Sequence, residues 1–328
     1  MSWKSSPMVR YLFRRLTFLF FSLFLASITL FVLLRLLPGD PANALLSVGA
    51  TPNQIAAAQH KVGSDLPLLQ QFIHWVGELA SFHLGTSLIS NVPVGPEITS
   101  RLAVTVPLTL IAFVIAVAVA VPLGFIAAYR AKTWYGAILN SVSQLGIAVP
   151  VFWVGIILIF IFALRLMVLP AGGFPPNGWH DLPGTLKSLL LPVITIAIVM
   201  SASLIRYVRS ATLDVIGSDY LRTSRSLGSS FLEAMWRHGL RNAASPVVSI
   251  LGIELATTFV GAVVVESVFA LPGLGSLLVR AIAQHDYPVI QGVLFMSTLA
   301  VLIIGFLADL IQRIIDPRLN TTSVGTNI

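Results

Sequence analysis

Charged residues are missing from long stretches of this chain, and that absence constrains the fold more than any motif. Residues 16–34 form 19 positions without Asp, Glu, Lys or Arg; 102–129 form 28, 133–164 form 32, 188–205 form 18 and 287–308 form 22. A helix crossing the hydrocarbon layer needs about 20 mostly apolar residues. A sixth stretch, 243–267, is apolar apart from Glu254 and Glu266, and the 133–164 run is long enough to hold a short turn. Composition agrees: Gly plus the apolar residues without Tyr make up roughly 61%, against about 45–50% in soluble domains, and only 10% of the chain is charged. The expected fold class is all-α and integral to the membrane, with six transmembrane helices. The chain has no Cys, which excludes disulfide frameworks, Cys-ligated metals and thiol catalysis.

The first run follows Lys4, Arg10, Arg14 and Arg15, and Ala42-Asn43-Ala44 imitates a signal cleavage site. The apolar part of a secretory signal is about 7–15 residues long. This run is longer, so it reads as an uncleaved anchor helix over about 12–36. Orientation follows from the cations, because loops retained inside are enriched in Lys and Arg. With the N-terminus inside, 14 of the 20 Lys and Arg face the cytoplasm and 6 lie on or near the far side. Both termini are therefore expected in the cytoplasm. The net charge of +7 reads as a topology signal and calls for the bilayer, not nucleic acid, as the partner.

Two connections are too long for turns. In the outer one, 36–100, Thr51-Pro52-Asn53-Gln54 supplies an N-cap, a first-turn proline and a capping-box Gln, and Gly63 a stop. Leu69, Phe72, Ile73, Val76 and Leu79 then recur at helical spacing. A second outer loop is expected over 170–187. The inner connection, about 212–245, predicts two short helices. Ser218 or Asp219 caps the first, which Gly228 stops; Ser230-Phe231-Leu232-Glu233 caps the second, which reaches Arg241 before Pro246. Tyr220, Leu221, Leu227, Phe231, Leu232, Met235 and Trp236 are many apolar residues for a cytoplasmic loop, and they need a surface to pack on.

Catalytic signals are missing. There is no G-x-x-x-x-G-K-[ST] phosphate loop, Gly273-x-Gly275 stands without a third glycine, and His60, His74, His83, His180, His238 and His285 are scattered. The chain reads as a non-enzyme.

The inner loop carries a family pattern. Asp219-Tyr220-Leu221-Arg222-Thr223-Ser224-Arg225-Ser226-Leu227-Gly228, followed by Trp236-Arg237-His238-Gly239-Leu240-Arg241-Asn242-Ala243-Ala244-Ser245-Pro246, resembles the "EAA loop" of ATP-binding-cassette importer permeases. The B-type dipeptide/oligopeptide subunit is the nearest of these. Family members usually carry Ala where this chain has Ser224 and Ser226, and a basic residue near Leu227. Leu37-Pro38-Gly39-Asp40-Pro41, Leu84-Gly85-Thr86-Ser87, the run from Val264 to Gly275, Asp286-Tyr287-Pro288-Val289-Ile290-Gln291-Gly292 and Asp316-Pro317-Arg318 are similar to stretches of the same family.

The resemblance implies a type I ABC importer permease fold in a bacterial inner membrane. The expected layout is an anchor helix and extracytoplasmic segment over 1–100, a permease core over 101–313 with a coupling loop at 213–245, and a cytoplasmic tail over 314–328. It implies a second related permease, two ATPase subunits (or one fused) and an extracytoplasmic substrate-binding protein. ATP and Mg would be bound by the ATPase partners and no cofactor by this chain. Coupling would fall to Asp219, Tyr220, Arg222, Thr223, Arg225, Gly228, Arg237, His238, Arg241 and Asn242. The expected cargo is a di- or oligopeptide; nickel or glutathione permeases of the same family are alternatives, and a self-sufficient secondary transporter or channel is a further one.

Two acids stand apart. Glu266 lies near the outer end of span five, where it is either solvated, in contact with the Pro272-Gly273 turn, or part of the transport path. Glu254, 12 residues earlier, is about 18 Å deeper at 1.5 Å per residue. An ionisable group at that depth is costly and a functional candidate: it either lines the translocation path or makes an interhelical hydrogen bond.

Overall fold

In the computed structural model, residues 7–36, 42, 50–81 and 83–315 are described. The Leu37–Pro41 and Asp316–Arg318 motifs lie outside the described residues, and so does the side chain of Arg241. Among the described residues the structure is helical, with one isolated bridge between Thr86 and Pro93.

α1 (Pro7–Leu36) carries Phe13, Phe18, Phe20, Phe21 and Phe24 on exposed positions, so most of its aromatic surface is free for lipid. Phe31 alone of the six is buried, against Phe72 and Trp75. Those two belong to α3 (Leu68–Ala80), which follows α2 (Pro52–Val62). The expected caps are present: Thr51 N–H donates to Gln54 Oε1 at 2.8 Å, and Gly63 closes α2 at φ +68°. In its N-terminal part α1 is tied to α12 (Tyr287–Ile315) by Arg15–Asp309 at 2.8 Å and by Arg313 stacked 3.7 Å above the Tyr11 ring.

α4 (Val94–Tyr129) and α7 (Leu182–Ile216) form the centre. Ala112, Ala116, Ala120 and Ala127 have no exposed surface, and a Cβ on Gly124 would overlap Val208. Small residues on one face let two backbones approach closely, which is how helices associate where no hydrophobic effect separates protein from solvent. Leu189, Leu191, Ile196, Met200 and Leu204 fill the seam, together with Val265, Phe269 and Leu271.

The 133–164 run is a broken span. α5 (Trp134–Ala148) and α6 (Val151–Leu158, continuing as a π-helical turn Ile159–Arg165) meet at 99°. Pro150 is the cause, since a residue before proline is pushed out of the helical region and Val149 is extended at φ −85°, ψ 125°. With this pair counted as one, six segments among the described residues are long and apolar enough to cross a membrane.

Two boundaries differ from the sequence reading. The outer loop was expected to last to Lys187 and the fourth span to begin near Ser188, but α7 starts at Leu182, capped by Asp181, which accepts from Gly184 N–H at 3.1 Å. A charge-free run measures the part of a helix that sits in hydrocarbon; Lys187 ends the run without ending the helix. The second inner helix does not stop at Arg241. α9 (Phe231–Ala234), a π-helical turn Met235–Gly239 and α10 (Leu240–Val268) are continuous, with Pro246 inside. Proline removes one backbone bond and crowds the carbonyl four back, but α10 is held on either side of Pro246, by Gln312 of α12 on Ser245 and by Ser203 of α7 on Glu254.

Gly124→Val should cost about 1–3 kcal/mol through overpacking of the α4–α7 seam, read as a lower melting temperature in detergent. Gly261→Ala, whose Cβ would meet nothing within 4 Å, should melt no lower than the natural protein.

Candidate functional site

The hairpin between α7 and α10 is capped and packed at each step. Ser218 is extended (φ −75°, ψ 146°) and opens α8 (Asp219–Ser226). Gly228 at φ +96° ends it, with its N–H on the Arg225 carbonyl at 3.0 Å. A left-handed residue at a helix C-terminus favours glycine, so the turn requires Gly228 whatever docks on it. Ser230 then accepts from Glu233 N–H at 3.3 Å and starts α9. Beneath the hairpin Leu221, Ala234 and Met235 are buried with Val215 in the last turn of α7. Phe231 packs 4.9 Å from Tyr129 of α4, and the Arg225 guanidinium lies 5.9 Å from the Phe231 ring.

The opposite face is bare. Leu227, Trp236 and Leu232 are 83%, 77% and 64% exposed. A cleft of about 550 Å³ between the two halves is lined by Tyr220, Thr223, Leu227, Arg237, His238 and Asn242. Arg237 pairs with Glu233 at 3.0 Å, Arg222 with the fully solvated Asp219 at 3.8 Å, and Asn242 donates to the His238 carbonyl. The structure thus gathers five of the ten sequence-predicted residues around one cleft and sets Asp219, Arg222, Arg225 and Gly228 beside it. Large apolar side chains clustered in the open on a fixed scaffold mark an interaction surface.

Glu266 is completely buried, so solvation at the interface is ruled out. It accepts from Thr105 Oγ1 of α4 at 2.5 Å and from the N–H groups of Gly275 and Ser276 at 2.8 and 3.1 Å. Those N–H groups open α11 (Leu274–Ala283), and the Leu274 N–H goes to Thr105 at 2.8 Å. The carboxylate therefore caps a helix whose N-terminus would otherwise hold unpaired donors. Gly273 is needed for space, since a Cβ there would overlap that carboxylate. A parallel lock joins two motifs distant in sequence: Ser87 donates to Asp286 at 2.5 Å and Leu88 N–H to the same carboxylate at 3.1 Å.

Glu254 accepts from Ser203 Oγ of α7 at 2.5 Å. It borders a cavity of about 220 Å³ with Val151, Met200, Thr257, Thr258 and Gly261. Ser203, Thr105, Ser87 and Asp286 were not singled out by sequence reasoning. Ser87 and Asp286 sat inside motifs that were noted; Thr105 and Ser203 give no local signal, because only the packing of α4 and α7 brings acids to them.

With up to six apolar segments long enough to cross a membrane among the described residues, and an exposed, braced hairpin at one end, this is a multi-pass membrane protein. Residues 120–321 match the binding-protein-dependent transport system inner membrane component, and residues 8–109 match the N-terminal part of such membrane components. The chain belongs to this family, the permeases of ABC importers. It is 38% identical over 295 residues to a Brucella abortus (strain 2308) protein named as a peptide transport system permease, spanning 90% of this chain and 93% of that one. It is 34% identical over 312 residues to the glutathione transport system permease protein GsiC of Escherichia coli K12, spanning 95% and 99%. The permease of the MetNI methionine ABC transporter in inward-facing conformations shares the fold, with a TM-score of 0.56 at 15% identity over 67% of this chain and 96% of that one.

Glu266→Ala leaves the Thr105 hydroxyl and two helix N–H groups without an acceptor. At about 1–3 kcal/mol for each buried unpaired group, it should lower the melting temperature of the purified protein well beyond Glu266→Gln, which keeps a carbonyl acceptor. Equal melting of the two variants would remove the capping role.

Proposed function

We propose that this chain is the membrane-spanning half of an ATP-driven importer of short peptides. It would work with a second permease, two ATP-binding-cassette subunits and an extracytoplasmic binding protein. Both termini then lie in the cytoplasm, a placement that the cation distribution supports. ATP and Mg are held by the ATPase subunits, and this chain binds neither. Family membership supports the importer class, and the names of the relatives support peptide cargo; the glutathione relative fits the same chemistry, since glutathione is itself a small peptide.

One observation carries the coupling role: the exposed Leu227–Leu232–Trp236 face stands on a buried Leu221–Met235 base. A knob that transmits force needs a sticky outer face and a base that does not yield. Through α9 and its π-helical turn the hairpin is continuous with α10. A displacement by the ATPase therefore reaches the helix that carries Glu254. Two packed arrangements of such helices are what inward- and outward-open states require. Glu254 would then offer an anionic contact to a peptide amine along the path.

The absence of Cys makes the docking test clean. Leu227→Cys carrying a maleimide-linked benzophenone should photo-cross-link to an ATPase subunit in the assembled complex, while Leu186→Cys carrying the same group, at the other end of the bundle, should not. A hairpin cysteine that labels equally in the complex and the free permease, and cross-links to nothing, would refute the docking role. Glu254→Gln at equal expression should lower peptide uptake about tenfold, the loss of one charge-assisted contact. Full uptake would take the charge out of the mechanism.

A further inference from the structure

At 13 residues α3 is too short to cross a bilayer, which takes about 20, yet it is sharply two-sided. Gln70, Gln71, His74 and Glu78 share one side of the helix and its apolar residues the other. The polar side is turned to the protein and to water. Gln71 is buried, with its Nε2 donating to the Ser64 and Leu66 carbonyls at 3.3 and 2.7 Å, and His74 and Glu78 line a cavity with Thr86 and Gln291. The apolar side has two parts. Phe72 and Trp75 pack on α1, where ring centroids are 5.3 Å apart for Phe72–Phe31, 6.4 Å for Phe72–Phe24 and 6.0 Å for Trp75–Phe31. Leu69 and Ile73, one turn apart, are 69% and 60% exposed, and no side chain among the described residues covers them.

The partners of Phe72 fix the depth of α3. Leu34 closes the charge-free run of α1, and Phe31 and Phe24 lie three and ten residues before it. At 1.5 Å per residue those contacts fall about 5 and 15 Å along the axis from the end of the run. The hydrocarbon layer is about 30 Å thick, so α3 lies beside α1 at the level of one leaflet. An amphipathic helix at an interface sinks its apolar face by a similar depth, about 5–10 Å.

The surroundings at that level are apolar too. Phe20, Phe21 and Phe24 of α1 are exposed. Next to them Val76, Leu79 and Ala80 of α3 border a groove of about 1200 Å³ shared with α4 and α12. The hydroxyls of Ser27, Thr99 and Ser100 in that groove donate to the Leu23, Gly95 and Glu97 carbonyls of their own helices at 2.8, 2.9 and 2.7 Å. A hydroxyl has one donor, so the side chains of the groove offer none to water or to a polar protein surface. Hydrocarbon needs none.

We infer that α3 is embedded in the leaflet at the C-terminal end of α1, with Leu69 and Ile73 against lipid acyl chains. The lipid-facing surface of α1 then continues onto α3, and the segment between the first two spans is in part a membrane element. α3 carries no Lys or Arg, so the contact needs no anionic headgroup.

The test uses the full chain purified with its native partner subunits, their cysteines replaced, in phosphatidylcholine nanodiscs. This chain has no Cys, so Leu69→Cys, Gln70→Cys, Ile73→Cys and His74→Cys each take a single nitroxide label. Power saturation of the label compares collisions with oxygen, which concentrates in hydrocarbon, and with a nickel chelate, which stays in water. The ratio of oxygen to nickel accessibility should lie above unity at Leu69 and Ile73 and below unity at Gln70 and His74. A ratio below unity at all four positions places α3 in water and overturns the proposal. Low access of both reagents to Leu69 and Ile73 means that protein covers this face in place of lipid, and overturns it as well. A ratio above unity at all four rules out the two-sided placement.

Discussion

Hydrocarbon offers no partner to a carbonyl, an N–H or a carboxylate, and the architecture of this protein follows from that shortage. Helices satisfy their own backbones, so the spans are helices; where a helix must begin or break inside the bundle, a side chain has to supply what water cannot. Glu266 does this for α11, with Thr105 of α4 completing the arrangement. Asp286 does it for the segment around Ser87. An acid placed to cap a helix holds its neighbours in register as well, because moving α4 or α11 alone would strand buried donors.

Close helix packing is the second consequence. Without a hydrophobic effect between helices, contact area and small residues decide which pairs stay together, and the α4–α7 seam is lined with alanines and Gly124. That seam is the fixed part of the molecule. α5–α6 is bent at Pro150 and α1 stands largely free with its aromatic residues exposed. A close-packed centre and a less tightly held periphery would suit the coupling proposed above, in which a push on the hairpin travels along α10.

Much of this was legible in the chain. The number of crossings came from charge-free runs, the hairpin from Ser230, Gly228 and an excess of apolar residues, and the outer helix pair from Thr51-Pro52-Asn53-Gln54. Errors came where a signal stood for something narrower than it was taken for. Lys187 marks the edge of hydrocarbon and not of α7, and Pro246 marks a lost hydrogen bond and not the end of a helix.

What the sequence determined by itself was local: which segments are apolar enough to enter the bilayer, where turns fall, and where the capped hairpin sits, because apolarity, capping and proline act over a few neighbouring residues. The contacts of Glu266, Glu254 and Gln71 were decided only by tertiary structure. A carboxylate or an amide is defined by what faces it, and Thr105, Ser203 and the 64–66 carbonyls reach these groups only once helices far apart or folded back in the chain have packed together.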